Sequence, residues 1–421
     1  MSSPSRPSPE AYGLGTLLLL LLSPLVLQGL FVPLSQRVEI TVDAPFLTHS
    51  AQVLPLLVGL TARISGRRDL PVLVGSLAAL GLGLYQAQEP EGRVLLPVVL
   101  LAVALFNASI LTYLLPRLPP ELTGMARRQP VRLALLFSLG LLGALVTTRE
   151  STFIADHREQ SYGLVPENEF INYHSCLSAY IQAARLARDG VENVYAAELW
   201  WDQEATPKAL AYKEEYRPFR LDSYAYPTPF LLLPTLLAQA GNFVAQRGVW
   251  FALSGLYVAL GLWIVGRWVG GTSGRMALLL IPLVWVSTPS TLLLHVGNAH
   301  GWVVVSAMLA LVAFERRRPA LGGLLLAFAI ISKISPGLLL LVLLVQRRFR
   351  EVGWTLLGCL LFTLVGIGAF GTGSLLAFVQ YEMPRLASGD ALRFLAEDHS
   401  VPINIAPFGM PFKLAALGLP L

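Results

Sequence analysis

Charge is scarce in this sequence: 14% of its 421 residues are Asp, Glu, Lys or Arg, and 54% are hydrophobic. Soluble domains carry about 25% and 45 to 50%. So little charge cannot cover a water-facing surface. Cysteine is nearly missing as well, with Cys176 and Cys359 alone, which excludes a disulfide framework and leaves no metal-type cysteine spacing. Lysine is almost as rare, at four residues. No Gly-Lys-Ser phosphate loop, dinucleotide fingerprint or thiol pair occurs, so energy from a soluble nucleotide is unsupported. Asp398-His399-Ser400 lacks the glycines of a nucleophile elbow and is not read as a hydrolase triad. The net charge of +5 does not point to nucleic acid, because the arginines fall in short joints between apolar runs instead of on one basic face.

What the sequence has in quantity is apolar runs of about 17 to 25 residues, each able to cross the roughly 30 Å hydrocarbon layer as a helix. The expected fold is therefore all-α, a polytopic transmembrane bundle. The first run, about 12–34, lacks a small-x-small cleavage site and is read as a span, not a removed leader. Basic residues near helix ends are retained inside, so four joints fix the map: Arg63, Arg67 and Arg68; Arg117, Arg127, Arg128 and Arg132; Arg316 to Arg318; and Arg347, Arg348 and Arg350. With the N-terminus cytoplasmic, helices near 12–34, 46–63, 70–86, 94–115 and 131–148 bring residues 149–224 outside. This loop holds 13 of the chain's 26 acids against 8 Arg or Lys.

Within the loop, Leu177, Tyr180, Ile181, Ala184 and Ala187 recur at helical spacing, with Gln182, Arg185 and Asp189 opposite, which predicts an amphipathic helix. Thr206-Pro207 reads as a second helix start. The run beginning Tyr224-Ala-Tyr-Pro-Thr-Pro is cut by Pro227, Pro229 and Pro234 and is expected to lie in the outer leaflet without spanning. Charge at both ends then requires 276–314 to cross twice, with His295 to Gly301 at the outer turn. The same logic makes 319–346 a hairpin whose apex is Ser332-Lys-Ile-Ser-Pro336. Its arms of about 10 to 15 residues reach only about 15 to 22 Å, so Lys333 is expected inside the bundle. Eleven spans result, and the ending from Phe412 reads as the first turns of a further helix, so that the chain is either cut short or ends outside.

Three polar features then share one face: the acidic loop, the Gly297-Asn298-His300 turn and the Lys333 hairpin. An ionisable group at membrane depth is a functional-site candidate by default, and Lys333 is read as an anion-binding cation. Glu169 is the candidate general base, with Glu167 and Asp156 as rivals, because a carboxylate at a membrane interface can be tuned to accept a proton. Asn298, His300, His174, Tyr180, Tyr226 and His399 are the candidate substrate contacts. No cofactor is expected and a divalent metal is unsupported: His295 and His300, five apart, do not share a helical face.

The order of local signatures resembles the C-type membrane glycosyltransferases, most closely the bacterial polyprenol-phosphate-mannose-dependent mannosyltransferases. These signatures are Tyr180 with Ala183-Ala184, Gly190, Asn193-x-Tyr195, Tyr226-Pro-Thr-Pro229, Gly297-Asn298, Leu321-Gly-Gly-Leu, Lys333-Ile-Ser-Pro336, Arg347-Arg348-Phe-Arg350, Tyr381-Glu-Met-Pro384 and Asp398-His-Ser400. The resemblance covers about 130–420, so residues 129–421 form the expected glycosyltransferase-like domain and residues 1–128 a four-helix membrane extension. It implies transfer of a sugar, mannose or another hexose, from a polyprenyl-phosphate carrier to a lipid or glycan acceptor hydroxyl on the outer face of a bacterial inner membrane. Where that family writes Asp-Phe shortly before the Tyr-x-x-Ala-Ala helix, this chain offers Glu169-Phe170, several residues early, and where it writes Gly-Gln this chain has Gly297-Asn298. A lipid-linked-substrate transporter or flippase and a glycan ligase or polymerase are the rival readings. No inverted hydropathy repeat favours a transporter.

Overall fold

The computed structural model describes residues 7–66, 69–118, 128–166, 168–200, 214–391, 410–416 and 418. Arg67, Arg68, Arg127, the helix start at Thr206-Pro207, Glu167 and the 398–400 segment with His399 lie outside the described residues. The bundle begins with α1 (Pro9–Arg37), α2 (Ala44–Ser65), α3 (Asp69–Gln86), α4 (Pro90–Tyr113) and α5 (Pro130–Ala155). A cap follows, containing α6 (Glu169–Tyr173), β1 (His174–Ser175), α7 (Cys176–Arg188), β2 (Arg220–Leu221) and α8 (Leu232–Leu237). The chain then re-enters the bundle as α9 (Phe243–Val269), α10 (Gly271–Val286), α11 (Thr288–His295), α12 (His300–Glu315), α13 (Pro319–Ser332), α14 (Leu338–Val345) and α15 (Phe349–Phe370).

The all-α membrane bundle is thus as expected, but not every expected crossing is a full-length apolar helix. Among the described residues six helices are long and apolar enough to cross, and a seventh crossing results if α10 and α11, bent by 57° at Ser287, form one span. Helices α12 and α13 have 16 and 14 residues, or about 24 and 21 Å at 1.5 Å per residue. Both fall short of the roughly 30 Å layer. Leu338, Val345 and Ile64 are 67%, 84% and 75% exposed. Large aliphatic side chains turned outward on so many helices suit lipid, not water.

Helix α1 holds the bundle together. Leu25 is fully buried, packed with Leu21 and Leu22 against Ile154 of α5, Phe251 of α9 and Trp285 of α10. It also packs on α2 and α4. Polar side chains tie helices where hydrophobic driving force is weak: Ser23 donates to Asn107 Oδ1 at 2.7 Å, Gln28 to the Ser151 carbonyl at 2.6 Å, and Trp285 to Thr147 Oγ1 at 2.9 Å. These bonds explain why α5 runs to Ala155, past the expected end at 148. Thr147 and Thr148 return hydroxyl bonds to carbonyls four residues back, and Thr152 meets Thr48 of α2 at 2.8 Å. The loop therefore starts at Asp156.

Helix α7 also differs from its sequence pattern. The apolar stripe is buried as expected, but Ser178 and Gln182 are also fully buried, so no solvated polar face remains beyond the ends of the helix. The reason is the aromatic cap around it: Tyr195, Tyr216, Phe219, Tyr224 and Phe230 join Leu177, Tyr180 and Ile181 in one core with Trp250 of α9. The proline-rich segment forms a 3-10 turn at Thr228–Leu231 and then α8. Ten residues span about 15 Å, so it does not cross.

Candidate functional site

The hairpin, the turn and the cap meet at Lys333. Its backbone is extended (φ −156°, ψ 125°), ending α13. The cause lies three residues on: in a continued helix the Pro336 ring would clash with the carbonyl of Ser332. The chain resumes as a short 3-10 turn at Ser335–Gly337, leaving the half-buried lysine at the break.

The facing turn is built by Gly297. Its φ of +69° is costly for other residues, and it closes α11 through Asn298 N–H to the Leu293 carbonyl at 3.0 Å. A Cβ at this position would sit 3.1 Å from Leu177 and 3.3 Å from Trp250, so α7 and α9 approach only because the side chain is absent. Trp250 Nε1 donates to the Gly297 carbonyl at 2.8 Å, fixing the turn to α9. Asn298 Oδ1 then accepts from the His300 backbone N–H at 2.9 Å and lies 2.7 Å from His300 Nδ1.

One assignment of protons satisfies every contact in this group. Nδ1–H of His300 donates to Asn298 Oδ1, which leaves Nε2 as the acceptor for the Lys333 ammonium. The other end of the amide, Asn298 Nδ2, donates to Cys176 Sγ at 3.3 Å. Cys176 Sγ lies 3.6 Å from His174 Nε2, and that nitrogen lies 3.6 Å from Asp222 Oδ2. A polar chain thus runs Lys333, His300, Asn298, Cys176, His174, Asp222 across four segments far apart in sequence. Tyr226 flanks it, with Lys333 Nζ 6.0 Å from its ring centre. Buried Tyr180 supports Tyr226 by donating to its hydroxyl at 3.0 Å and accepting from the Ala299 N–H at 3.2 Å.

Burial pushes the Cys176 thiol up to about 12, with the Asp222 carboxylate adding to the rise. Burial also raises the Asp222 carboxyl, and His174 draws it partly back. The hydroxyls of Tyr180 and Tyr226 are held protonated by burial. At neutral pH both are therefore donors: Tyr180 gives its proton to Tyr226, which leaves the Tyr226 O–H for an oxygen of a sugar or phosphate.

Of the sequence candidates, Lys333, His300, Asn298, Tyr226, Tyr180 and His174 come together here. Asp156 does not: Arg158 grips both its oxygens at 2.8 and 2.6 Å and holds its carboxyl below the ordinary range. Glu169 is exposed at the first position of α6, and it reaches the group only through its neighbour Phe170, whose ring stacks on His174 at 5.4 Å. His295 is buried elsewhere, stacked on Phe153 at 5.1 Å. Sequence reasoning missed Cys176 and Asp222. The signal that joins them is a β pairing: His174 lies opposite Arg220 and Ser175 opposite Leu221, a register invisible in spacing alone. The same pairing gives His174, Cys176 and Asp222 the ligand atoms of a group able to hold a metal ion.

No curated protein and no solved structure matches this chain. Residues 224–419 match the family model of glycosyltransferase family 87, a stretch that contains the Tyr226 segment, the Asn298 turn and the Lys333 break and leaves Glu169, His174, Cys176 and Asp222 outside it, and this match supports a membrane glycosyltransferase.

Proposed function

We propose that the protein is an integral membrane hexosyltransferase that moves a sugar, mannose in the first instance, from a polyprenyl-phosphate carrier to an acceptor hydroxyl on the non-cytoplasmic face of a bacterial inner membrane. The observation that carries this reading is the lysine at a broken, short intramembrane helix, facing His300, Asn298 and Tyr226 within the stretch similar to glycosyltransferases. The 14-residue helix ends about 21 Å along its axis, short of the far side of the hydrocarbon layer, and an ammonium at that end offsets the charge of a phosphate drawn down to it in a medium of low dielectric.

The reaction is a displacement at the anomeric carbon. The acceptor oxygen forms the new glycosidic bond, its proton passes to a carboxylate, and the lipid phosphate leaves with the bonding electrons. Lys333 stabilises the phosphate as charge gathers on it, and the neutral Tyr226 hydroxyl and the Asn298 amide orient the sugar. Two carboxylates border the group. Exposed Glu169, open to an incoming acceptor, is assigned the proton; Asp222, drawn onto His174 and Cys176, is assigned to hold that side of the site. Positioning both substrates out of water supplies much of the rate.

Membranes containing the chain, given labelled polyprenyl-phosphate mannose and a membrane lipid extract as acceptor, should yield a product one hexose larger. Glu169→Gln should lower that yield about 100-fold or more, the usual scale for a general base. Full activity in Glu169→Gln would move the role of base to Asp222. Movement of the intact donor across the membrane without release of sugar would favour a flippase, and transfer of a preassembled glycan a ligase.

A further inference from the structure

We propose that His174, Cys176 and Asp222 form a binding site for one divalent cation of the zinc class, held by an imidazole, a thiolate and a carboxylate with a fourth position open to water or a substrate oxygen. The site follows first from register. His174 stands in the two-residue strand β1, and Cys176 opens α7 two residues on. The parallel pairing of His174 with Arg220 and of Ser175 with Leu221 ends there, and the next residue of each segment, Cys176 and Asp222, leaves the ladder at the same end. The end of this short ladder therefore brings three ligand types together.

Distances give the second argument. Nε2 of His174 is 3.6 Å from the Cys176 sulfur and 3.6 Å from Asp222 Oδ2, and the three ligand atoms all lie within 4.8 Å of one another. Tetrahedral zinc with bonds of about 2.0 to 2.3 Å separates its ligand atoms by roughly 3.3 to 3.6 Å. The arrangement is thus close to the size of a metal site before any ion enters. It is not the geometry of a cysteine nucleophile activated by a relay. There the thiol and the carboxylate meet opposite nitrogens of the imidazole, whereas here both meet Nε2.

The donor set and its surroundings agree. Sulfur, nitrogen and one carboxylate oxygen suit zinc and its neighbours better than magnesium or calcium, which take oxygen. The Phe170 ring stacks on His174 and the Asn298 amide donates to the sulfur at 3.3 Å, the kind of outer contacts that orient metal ligands. Side chains of His174 and Asp222 are 27% and 39% exposed, which leaves an entry path. The inference rests on the geometry of this cluster and not on the proposed reaction.

The test reads metal, not sugar, so it stands or falls apart from transfer. The full chain, purified in detergent and stripped with chelator, is titrated with Co2+ and then with Zn2+. One Co2+ per chain is expected, with tetrahedral visible bands and a thiolate-to-cobalt charge-transfer band in the near ultraviolet, all displaced by Zn2+. Cys176→Ser should abolish the charge-transfer band, and Asp222→Asn and Asn298→Ala should each weaken binding about 10- to 100-fold. Cys359→Ser should change nothing. Gel filtration and melting temperature establish that each variant is folded. Absence of the charge-transfer band in the wild-type chain, or its persistence in Cys176→Ser, overturns the proposal; so does tight Mn2+ or Mg2+ binding with no Zn2+ binding.

Discussion

Replacing Lys333 by methionine keeps the length of the side chain and removes its charge, which isolates the electrostatic role assigned to it. The ammonium is half-buried at the end of α13 and donates to His300 Nε2, so it lies where a phosphate oxygen would gain a charge-assisted hydrogen bond. Such a bond contributes about 1.5 to 3 kcal/mol. At 1.36 kcal/mol per factor of ten, Lys333→Met should reduce the transfer efficiency roughly 10- to 150-fold. Stability should be nearly unchanged, because the neutral side chain no longer has to be desolvated as a charge and His300 keeps its bond to Asn298. Lys333→Arg should recover part of the loss, since the charge returns but the planar guanidinium does not match a point-charge site. The assay is initial-rate transfer of labelled sugar in membranes, normalised to the amount of folded protein. A rate for Lys333→Met within threefold of the wild type would refute the assignment.

Further outcomes are expected elsewhere. Tyr180→Phe leaves the buried Ala299 N–H without the acceptor it has at 3.2 Å, so it should cost about 1 to 3 kcal/mol of stability, read as a lower melting temperature in detergent. Glu382 is 2% exposed and burial raises its carboxyl, with Arg385 opposing; an acid raised in the folded state loses stability as pH climbs above its unfolded value. Glu382→Gln should therefore raise the melting temperature relative to wild type near pH 8 and bring no gain near pH 4, and a gain independent of pH would contradict the burial argument. In a background without Cys176 and Cys359, Ser161→Cys should react with a membrane-impermeant maleimide on intact cells and Arg316→Cys only after lysis; the opposite pattern reverses the orientation.

Much of the site was legible in the sequence because single residues left strong local signals. Two arginine joints, one at each end of 319–346, required a hairpin with its apex at 332–336, and Pro336 supplied its break, so Lys333 was placed before any contact was known. Gly297 and the following amide marked the opposing turn in the same way. What could not be read was pairing across distance. Asp222 is one of 13 acids between 149 and 224, and only the two-residue ladder with β1 separates it from the rest. Helix α7 misled for a related reason: its polar stripe predicts water, yet Tyr216, folded back from 34 residues further along the chain, lies 3.4 Å from Gln182. The eleven expected crossings are not all full-length helices: among the described residues six or seven pass on length and composition, and α12 and α13 are shorter apolar helices, α13 as the short hairpin arms predicted.

The most direct test of the central claim is sugar transfer by the wild-type chain. Membranes carrying it should release labelled hexose from polyprenyl-phosphate mannose onto an acceptor, in proportion to the protein present, while membranes without it should not. Folded, membrane-inserted protein that transfers nothing from any polyprenyl-phosphate sugar would contradict the account.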